Sequence, residues 1–152
     1  MASMSLFDLI LALDFAGTQW VNAFANRAFI LDVIGIIAAT ALLFIIGVAV
    51  MVVIAQRTAA ARALFVAEVV GTLIIAYAIS QFIGAVAFRE RPFVRHASQI
   101  RQLVLKDAGE KSFPSDHATL AFALAIPAAA VVRRRWASVL FLIAASAVGL
   151  GR

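Results

Sequence analysis

Residues 33–55 form a run of 23 residues without a charged side chain, which is long enough to cross the hydrocarbon core of a bilayer as one helix. A second uncharged run covers residues 69–88. Hydrophobic residues make up 64% of the 152-residue chain and charged residues 14%, and the mean hydropathy is +1.03. A soluble domain of this size exposes too much surface to accommodate such a composition. The sequence therefore predicts an all-α, polytopic transmembrane helix bundle with lipid as the solvent for much of its surface.

The third apolar run, residues 118–132, has only 15 residues. At about 1.5 Å per residue, it is too short for a hydrocarbon core of about 30 Å. A helix that starts at Pro114 gains one turn, and proline is favoured in a first helical turn. Ser112 or Ser115 then becomes the predicted helix cap.

A fourth span is predicted to begin at residues 136–151, after the three arginines 133–135. The apolar segment 6–15 is too short to span and is followed by Trp20, a residue type that anchors helices at membrane interfaces. We therefore expect about four spans and an N-terminal helix that lies in the membrane surface. No repeat or linker divides the chain, so residues 1–152 are interpreted as one domain.

The absence of cysteine excludes disulfides, thiolate metal sites and cysteine nucleophiles. The net charge of +5 does not indicate a nucleic-acid partner, because the basic residues are dispersed among the apolar runs. Membrane lipids and a lipid phosphate are the expected partners.

Two polar clusters lie between the second and third runs: Phe-Arg-Glu-Arg-Pro-Phe-Val at 88–94 and Ser-Phe-Pro-Ser-Asp-His-Ala at 112–118. Four successive crossings place both clusters and Arg152 at one membrane face, and the basic links 57–62 and 133–135 at the other. We expect this arrangement to assemble a site for a phosphate group.

The orientation of that site is predicted from charge. Residues 89–113 hold six basic residues, against five in the links 57–62 and 133–135. These counts alone would place 89–113 in the cytoplasm by the positive-inside rule. We discount the segment because its arginines have a proposed ligand and its acidic residues dilute the charge. Residues 89–113 and Arg152 are therefore expected on the extracytoplasmic face.

Arg91 is the main candidate phosphate ligand. Its guanidinium presents a planar fork of donors that grips phosphate oxygens through two bonds and keeps its charge. Pro92 stiffens the chain after it and biases Arg91 toward an extended conformation.

The second cluster offers complementary groups. The Ser115 hydroxyl and the N–H groups at the start of a Pro114 helix suit an anion, aided by the helix dipole. His117 is a candidate proton donor near neutral pH. Asp116 is expected to orient a ring or an arginine. Arg95, Arg101, Lys106 and Lys111 are interpreted as solvated or headgroup-contacting residues.

These clusters resemble the type 2 phosphatidic acid phosphatase superfamily, which also contains the vanadium haloperoxidases. The family's first motif is a lysine, six residues and Arg-Pro, and Arg91-Pro92 is similar to its end. The second is Pro-Ser-Gly-His, which residues 114–117 match with aspartate in place of glycine. The third is Ser-Arg, five residues, His, three residues and Asp, and residues 149–152 resemble its opening, with Arg152 as its arginine. The amino-acid sequences of both clusters are most similar to those of the bacterial undecaprenyl-diphosphatase branch linked to bacitracin resistance.

The chain departs from that pattern in two further places. Gly84 stands where the first motif has its lysine, and we expect Arg89 to substitute for it. The sequence stops at Arg152, before the third motif's histidine and aspartate, so it is interpreted as a C-terminally truncated piece. The reading frame beyond Arg152 is expected to encode both residues.

The resemblance implies a lipid phosphatase in the bacterial inner membrane that converts undecaprenyl diphosphate to the monophosphate through a phosphohistidine. Arg91, Ser115 and Arg152 would hold phosphate, and His117 would act as general acid. No metal or cofactor is implied. A phosphatidate or phosphatidylglycerol-phosphate phosphatase is the alternative within this class, and a non-catalytic lipid-phosphate binder is the alternative outside it. The oligomeric state stays open.

Overall fold

The computed structural model describes residues 6–89, 91, 94, 100, 103–104, 107 and 109–151. Its helices are α1 (Leu6–Asn22), α2 (Phe29–Thr40), α3 (Leu42–Ala55), α4 (Ala59–Val86), α5 (Asp116–Val131) and α6 (Arg135–Leu150). No β-strand occurs within the described residues. The all-α prediction is therefore confirmed for this part of the chain.

The first predicted span, residues 33–55, is not one straight helix. It falls into α2 and α3, whose axes bend by 57° at Ala41. The Thr40 hydroxyl donates a hydrogen bond to the Ile36 carbonyl oxygen at 2.6 Å. Such back-bonding by threonine bends helices, because the hydroxyl competes for a carbonyl of the helix ladder. The uncharged run did not reveal this break.

Helix α4 covers the second predicted span up to Val86, two residues before the end of that run, and begins ten residues before it, at Ala59. With 28 residues, α4 is the described helix that is long and apolar enough to cross a membrane by itself, and α2 with α3 passes the same test only as a bent pair. Helices α5 and α6 have 16 residues each, about 24 Å of rise. One apolar span is thus clear in the structure, whereas the four-span bundle stays a prediction.

Helix α5 does not start at Pro114, as the span length had suggested, but at Asp116. Ser115 has an extended backbone, with φ of −76° and ψ of 117°, and its side chain accepts a hydrogen bond from the Ala118 N–H. Ser115 is therefore the N-cap, and a cap residue stands outside the helical conformation. The prediction of a serine cap is confirmed, but the extra turn is not formed.

The core centres on α5, which packs against α3, α4 and α6. The residues that α5 contributes to the core are mostly alanines, and Ala121, Ala125 and Ala128 are fully buried. Small side chains let helix backbones approach closely, which is how helices associate where lipid removes the hydrophobic driving force. The Thr72 hydroxyl of α4 also lies 3.2 Å from the Ala123 carbonyl oxygen. The middle of α5 is thereby held against α4.

The two ends of the helix cluster are distinct. At one end, Arg57 donates a hydrogen bond to the carbonyl oxygen of Val131, the last residue of α5, at 3.0 Å. At the other, Gly149 lies beside Ala118, and Gly151 approaches α2 so closely that a Cβ on it would lie 2.9 Å from the Ala39 nitrogen. The basic link at 57 thus lies at the end of α5 opposite Ser115.

Candidate functional site

The two polar clusters are joined directly through the backbone. The Ser112 N–H donates a hydrogen bond of 2.8 Å to the Arg89 carbonyl oxygen. Each cluster lies next to α4 or α5, which pack against each other, so the pairing is set by both helix packing and the loop. The side chains that follow Arg89 and Ser112 are therefore brought to one place.

A cavity of about 370 Å³ opens at this junction. Its volume lies at the low end of the range of about 300–1,000 Å³ typical of small-molecule sites. It is lined by residues of α4, of the loop and of the α5 start: Gln81, Arg91, Glu110, Lys111, Ser115, Asp116 and His117. Arg91, Ser115, Asp116 and His117 were all named from the sequence, and the structure brings them together.

Arg91 is largely buried, with 13% of its side chain exposed. One end of its guanidinium donates to the Glu110 carboxylate at 2.8 Å. Its Nε is buried and has no hydrogen-bond partner among the described residues. Burying a donor of a charged group without a partner is costly, so this edge of the guanidinium is suited to an incoming anion.

The start of α5 supplies the opposite wall of the cavity. Ser115 caps the helix by accepting from the Ala118 N–H at 3.4 Å, and His117 is the second helical residue. The first N–H groups of a helix have no partners within the helix and carry a partial positive charge. An anion between Arg91 and this helix start would meet donors from both sides.

Among the described residues, Asp116 is held by α4 and by Lys111, and the expectation that it orients a ring or an arginine stays a prediction. Its Oδ1 accepts from the Ser80 hydroxyl at 2.9 Å and the Gln81 amide at 3.1 Å, and it pairs with the Lys111 ammonium at 2.8 Å. Asp116 lies outside the third predicted apolar run, which starts at Ala118. Burial acts to raise the pKa of its carboxyl, but the hydrogen bonds from Lys111, Ser80 and Gln81 outweigh burial and hold that pKa below its ordinary value.

Lys111 is the site residue that sequence reasoning missed. It was interpreted as solvated or headgroup-contacting, yet its side chain is only 15% exposed and lines the cavity. Its ammonium donates to the Ser80 carbonyl oxygen at 3.1 Å and to the Ser80 hydroxyl at 3.3 Å. The available signal was Gly84, whose missing side chain leaves the space that Lys111 fills.

The PAP2 superfamily profile matches residues 65–152, more than half of the chain. The chain belongs to the PAP2 superfamily. The matched region contains α5, α6, most of α4 and every residue that lines the cavity. No curated protein and no solved structure matches the chain. Membership in the PAP2 superfamily suggests a phosphatase of the lipid-phosphate type.

The remaining residues named from the PAP2 resemblance lie elsewhere or outside the described residues. Arg89 does not line the cavity, because its guanidinium forms an ion pair with Asp14 of α1. Arg89 therefore does not occupy the place expected of a substitute for the lysine missing at Gly84. Pro114 directly precedes the cap residue. Pro92 and Arg152 lie outside the described residues.

Within the described ranges, no group of three or more His, Asp or Glu side chains has the arrangement of a metal site. The charged side chains that line the cavity are instead paired as Arg91 with Glu110 and Lys111 with Asp116.

Proposed function

We propose that this PAP2 superfamily protein is an integral-membrane phosphatase of the bacterial inner membrane that hydrolyses undecaprenyl diphosphate to the monophosphate. The site would open on the extracytoplasmic face. Its partners would be the lipid diphosphate and the surrounding membrane lipids. The whole chain would act as one membrane-embedded domain.

The observation that carries this proposal is the Arg91 guanidinium, which is buried in the cavity with its Nε unpartnered among the described residues. Glu110 occupies the other edge, but 49% of that side chain is exposed. A phosphate can therefore displace Glu110 into water and take both edges of the guanidinium. This two-bond geometry is the one in which arginine binds phosphate best.

A lipid substrate is supported by the apolar surface beside the cavity. Phe82 and Val86 on the last turns of α4 are 69% and 72% exposed, and Phe88 and Phe113 beside the clusters are 59% and 56% exposed. Contiguous exposed apolar surface of this kind is unusual in a soluble monomer and marks contact with lipid or a partner. A diphosphate in the cavity would thus have its isoprenoid tail against these side chains.

By resemblance to the family, the proposed reaction is phosphoryl transfer through a histidine of the third family motif. The imidazole nitrogen forms a bond to the terminal phosphorus as the bond from that phosphorus to the bridging oxygen breaks. His117 gives its proton to the departing oxygen, which leaves as the lipid monophosphate. Water then attacks the phosphohistidine and releases inorganic phosphate, and His117 accepts the proton of that water.

Charge on the transferring phosphoryl group would be stabilised by donors already in place. These are Arg91, the N–H groups at the start of α5, the Ser115 hydroxyl and, by resemblance, Arg152. Fixed donors aimed at developing charge account for much of enzymatic rate enhancement. The scheme assigns no step to a metal ion or cofactor.

Two alternatives share the same cavity. Phosphatidate or phosphatidylglycerol phosphate would place one phosphate at Arg91 with acyl chains in place of the isoprenoid tail. A non-catalytic lipid-phosphate binder would use Arg91 and the start of α5 without transfer.

The test is phosphate release in detergent, with EDTA present, from undecaprenyl diphosphate, phosphatidate and phosphatidylglycerol phosphate in parallel. We expect turnover with EDTA present and the highest kcat/KM for undecaprenyl diphosphate. Faster turnover of phosphatidate or phosphatidylglycerol phosphate would make that lipid the preferred substrate. Binding of all three lipids without phosphate release would favour the non-catalytic lipid-phosphate binder.

A further inference from the structure

We infer that Lys111 is a positioning residue of this site: lying across Gly84, it neutralises Asp116 and keeps that carboxylate on α4, away from an anion held by Arg91 and the start of α5. The inference deepens the proposed function and rests on it insofar as the anion is a substrate phosphate. It assigns Lys111 a role that neither its charge nor its loop position predicts.

The first supporting observation is the fit between Lys111 and Gly84. A Cβ on residue 84 would lie 2.5 Å from the Lys111 Cδ and 3.1 Å from its Nζ. Real Cβ atoms essentially never come within 3.0 Å of another heavy atom in this way, so any other residue at 84 forces the lysine side chain to move. Gly84 is therefore the groove in α4 that admits Lys111.

The second observation concerns hydrogen-bond capacity. A lysine ammonium has three donors, and this one has three acceptor atoms in reach: the Ser80 carbonyl oxygen, the Ser80 hydroxyl oxygen and the Asp116 carboxylate. Ser80 itself is 2% exposed and donates its hydroxyl proton to Asp116. Because these acceptors match its three donors, Lys111 neutralises the charge of Asp116 and does not itself bind a ligand in the cavity.

The third observation is the charge of the cavity. Two carboxylates line it, Glu110 and Asp116. Glu110 pairs with Arg91 and is half-exposed, so it can move into water when an anion arrives. Asp116 is held by Ser80, Gln81 and Lys111 together and stays in place. Without a resident cation, this fixed carboxylate would repel a phosphate.

The sequence departs from the family motifs at Gly84 and at Asp116, and the structure connects the two departures through Lys111. Gly84 provides the space for the lysine, and Asp116 provides the negative charge that the lysine pairs with. The two departures therefore meet at one residue. The Lys111 side chain from the loop fills the space at Gly84, and its ammonium pairs with the Asp116 carboxylate at the helix start.

The experiment uses the full-length protein in detergent. It measures the Kd of inorganic pyrophosphate by calorimetry, and KM and kcat on undecaprenyl diphosphate. We expect Lys111→Ala to raise both Kd and KM on the order of tenfold, the size expected for one uncompensated charge at a partly exposed site, with a smaller change in kcat.

Gly84→Ala displaces the Lys111 side chain without removing it, so it should weaken pyrophosphate binding as Lys111→Ala does. In the Lys111→Ala background, Gly84→Ala should add nothing, because no side chain is left to displace. The matched control is Gly71→Ala on the same helix, where a Cβ meets nothing within 4 Å. Gly71→Ala should leave Kd, KM and kcat unchanged.

The decisive variant is Lys111→Ala with Asp116→Asn. Removing the negative charge together with its cation should recover most of the pyrophosphate affinity, which a merely structural loss at Lys111 would not allow. The double variant also avoids an unpaired carboxylate beside the cavity, so it keeps the test usable if Lys111→Ala fails to fold.

Wild-type affinity in Lys111→Ala, no recovery in the double variant, or a Gly84→Ala protein that behaves like Gly71→Ala would each overturn the inference. Failure of the proposed function is a different result: the wild type would release no phosphate from any lipid phosphate. The pyrophosphate Kd values would still decide the role of Lys111 in that case.

Discussion

The Ser112 N–H donates a 2.8 Å hydrogen bond to the carbonyl oxygen of Arg89, 23 residues earlier in the chain. Together with the packing of α4 against α5, this backbone contact brings the Arg91 guanidinium and the Ser115–His117 helix start to the same cavity. Two short motifs that are individually weak signals thereby become one site with donors on both sides.

Arg91→Lys should raise KM for the lipid diphosphate by about 10- to 100-fold, because a lysine ammonium cannot reproduce the two-bond fork. The control is Arg133→Lys, at an exposed arginine in the link before α6, which should change nothing. Steady-state phosphate release measures both. An Arg91→Lys enzyme with a wild-type KM would remove Arg91 from the phosphate site.

Three residues that the sequence motifs single out meet in the structure, while their chemical roles stay predictions. Arg91, Ser115 and His117 were identified from residue types and spacing, and they line one cavity. Lys111 was missed because its role depends on contacts with Gly84 and Ser80, about 30 residues away along the chain. Because the contact between Lys111 and Gly84 was not foreseen, Arg89 was expected to substitute for the family's lysine. In the structure, Arg89 pairs with Asp14.

The fold was predictable only at the level of apolar runs. Their composition predicts helices, and the chain is helical. The break at Ala41 follows a Thr40 side chain that bonds within its own helix, a local contact that a count of charges does not register. The start of α5 depends on the cap geometry of Ser115, which span length does not determine. Local hydrogen bonding thus decided the boundaries.

The contribution of Asp116 to stability should depend on pH. Its pKa is lower in the folded protein than its ordinary value of 3.8, so its ion pair with Lys111 stabilises the fold above about pH 4. The stabilisation is lost as pH falls through the folded pKa. More than a third of the carboxylate side chain is exposed, so the contribution is at most about 1 kcal/mol.

The measurement is thermal unfolding in detergent at pH 7 and pH 3 for the wild type and Asp116→Asn. The wild type should be the more stable at pH 7, and the difference should shrink at pH 3. Arg91, Glu110, Lys111 and His117 are present in both proteins, so their titration largely cancels. A difference that grows as pH falls would contradict the assignment.

The topology can be tested because the chain lacks cysteine. Single cysteines at Gly109 and Ala60, both exposed, should react oppositely with a membrane-impermeant thiol reagent in intact cells. Gly109→Cys should be labelled, because the site is expected on the extracytoplasmic face, and Ala60→Cys should be labelled only after lysis. The reverse pattern would place the site in the cytoplasm.

The proposed chemistry depends most on His117, which lines the cavity as the second residue of α5. The direct test is phosphate release from undecaprenyl diphosphate in detergent with EDTA, by the wild type and by His117→Ala, alongside pyrophosphate binding by both. Loss of the general acid should reduce kcat by about 10²- to 10⁴-fold while pyrophosphate affinity stays near that of the wild type. Wild-type turnover in His117→Ala would remove His117 from the mechanism, and loss of wild-type activity in EDTA would contradict the metal-independent scheme.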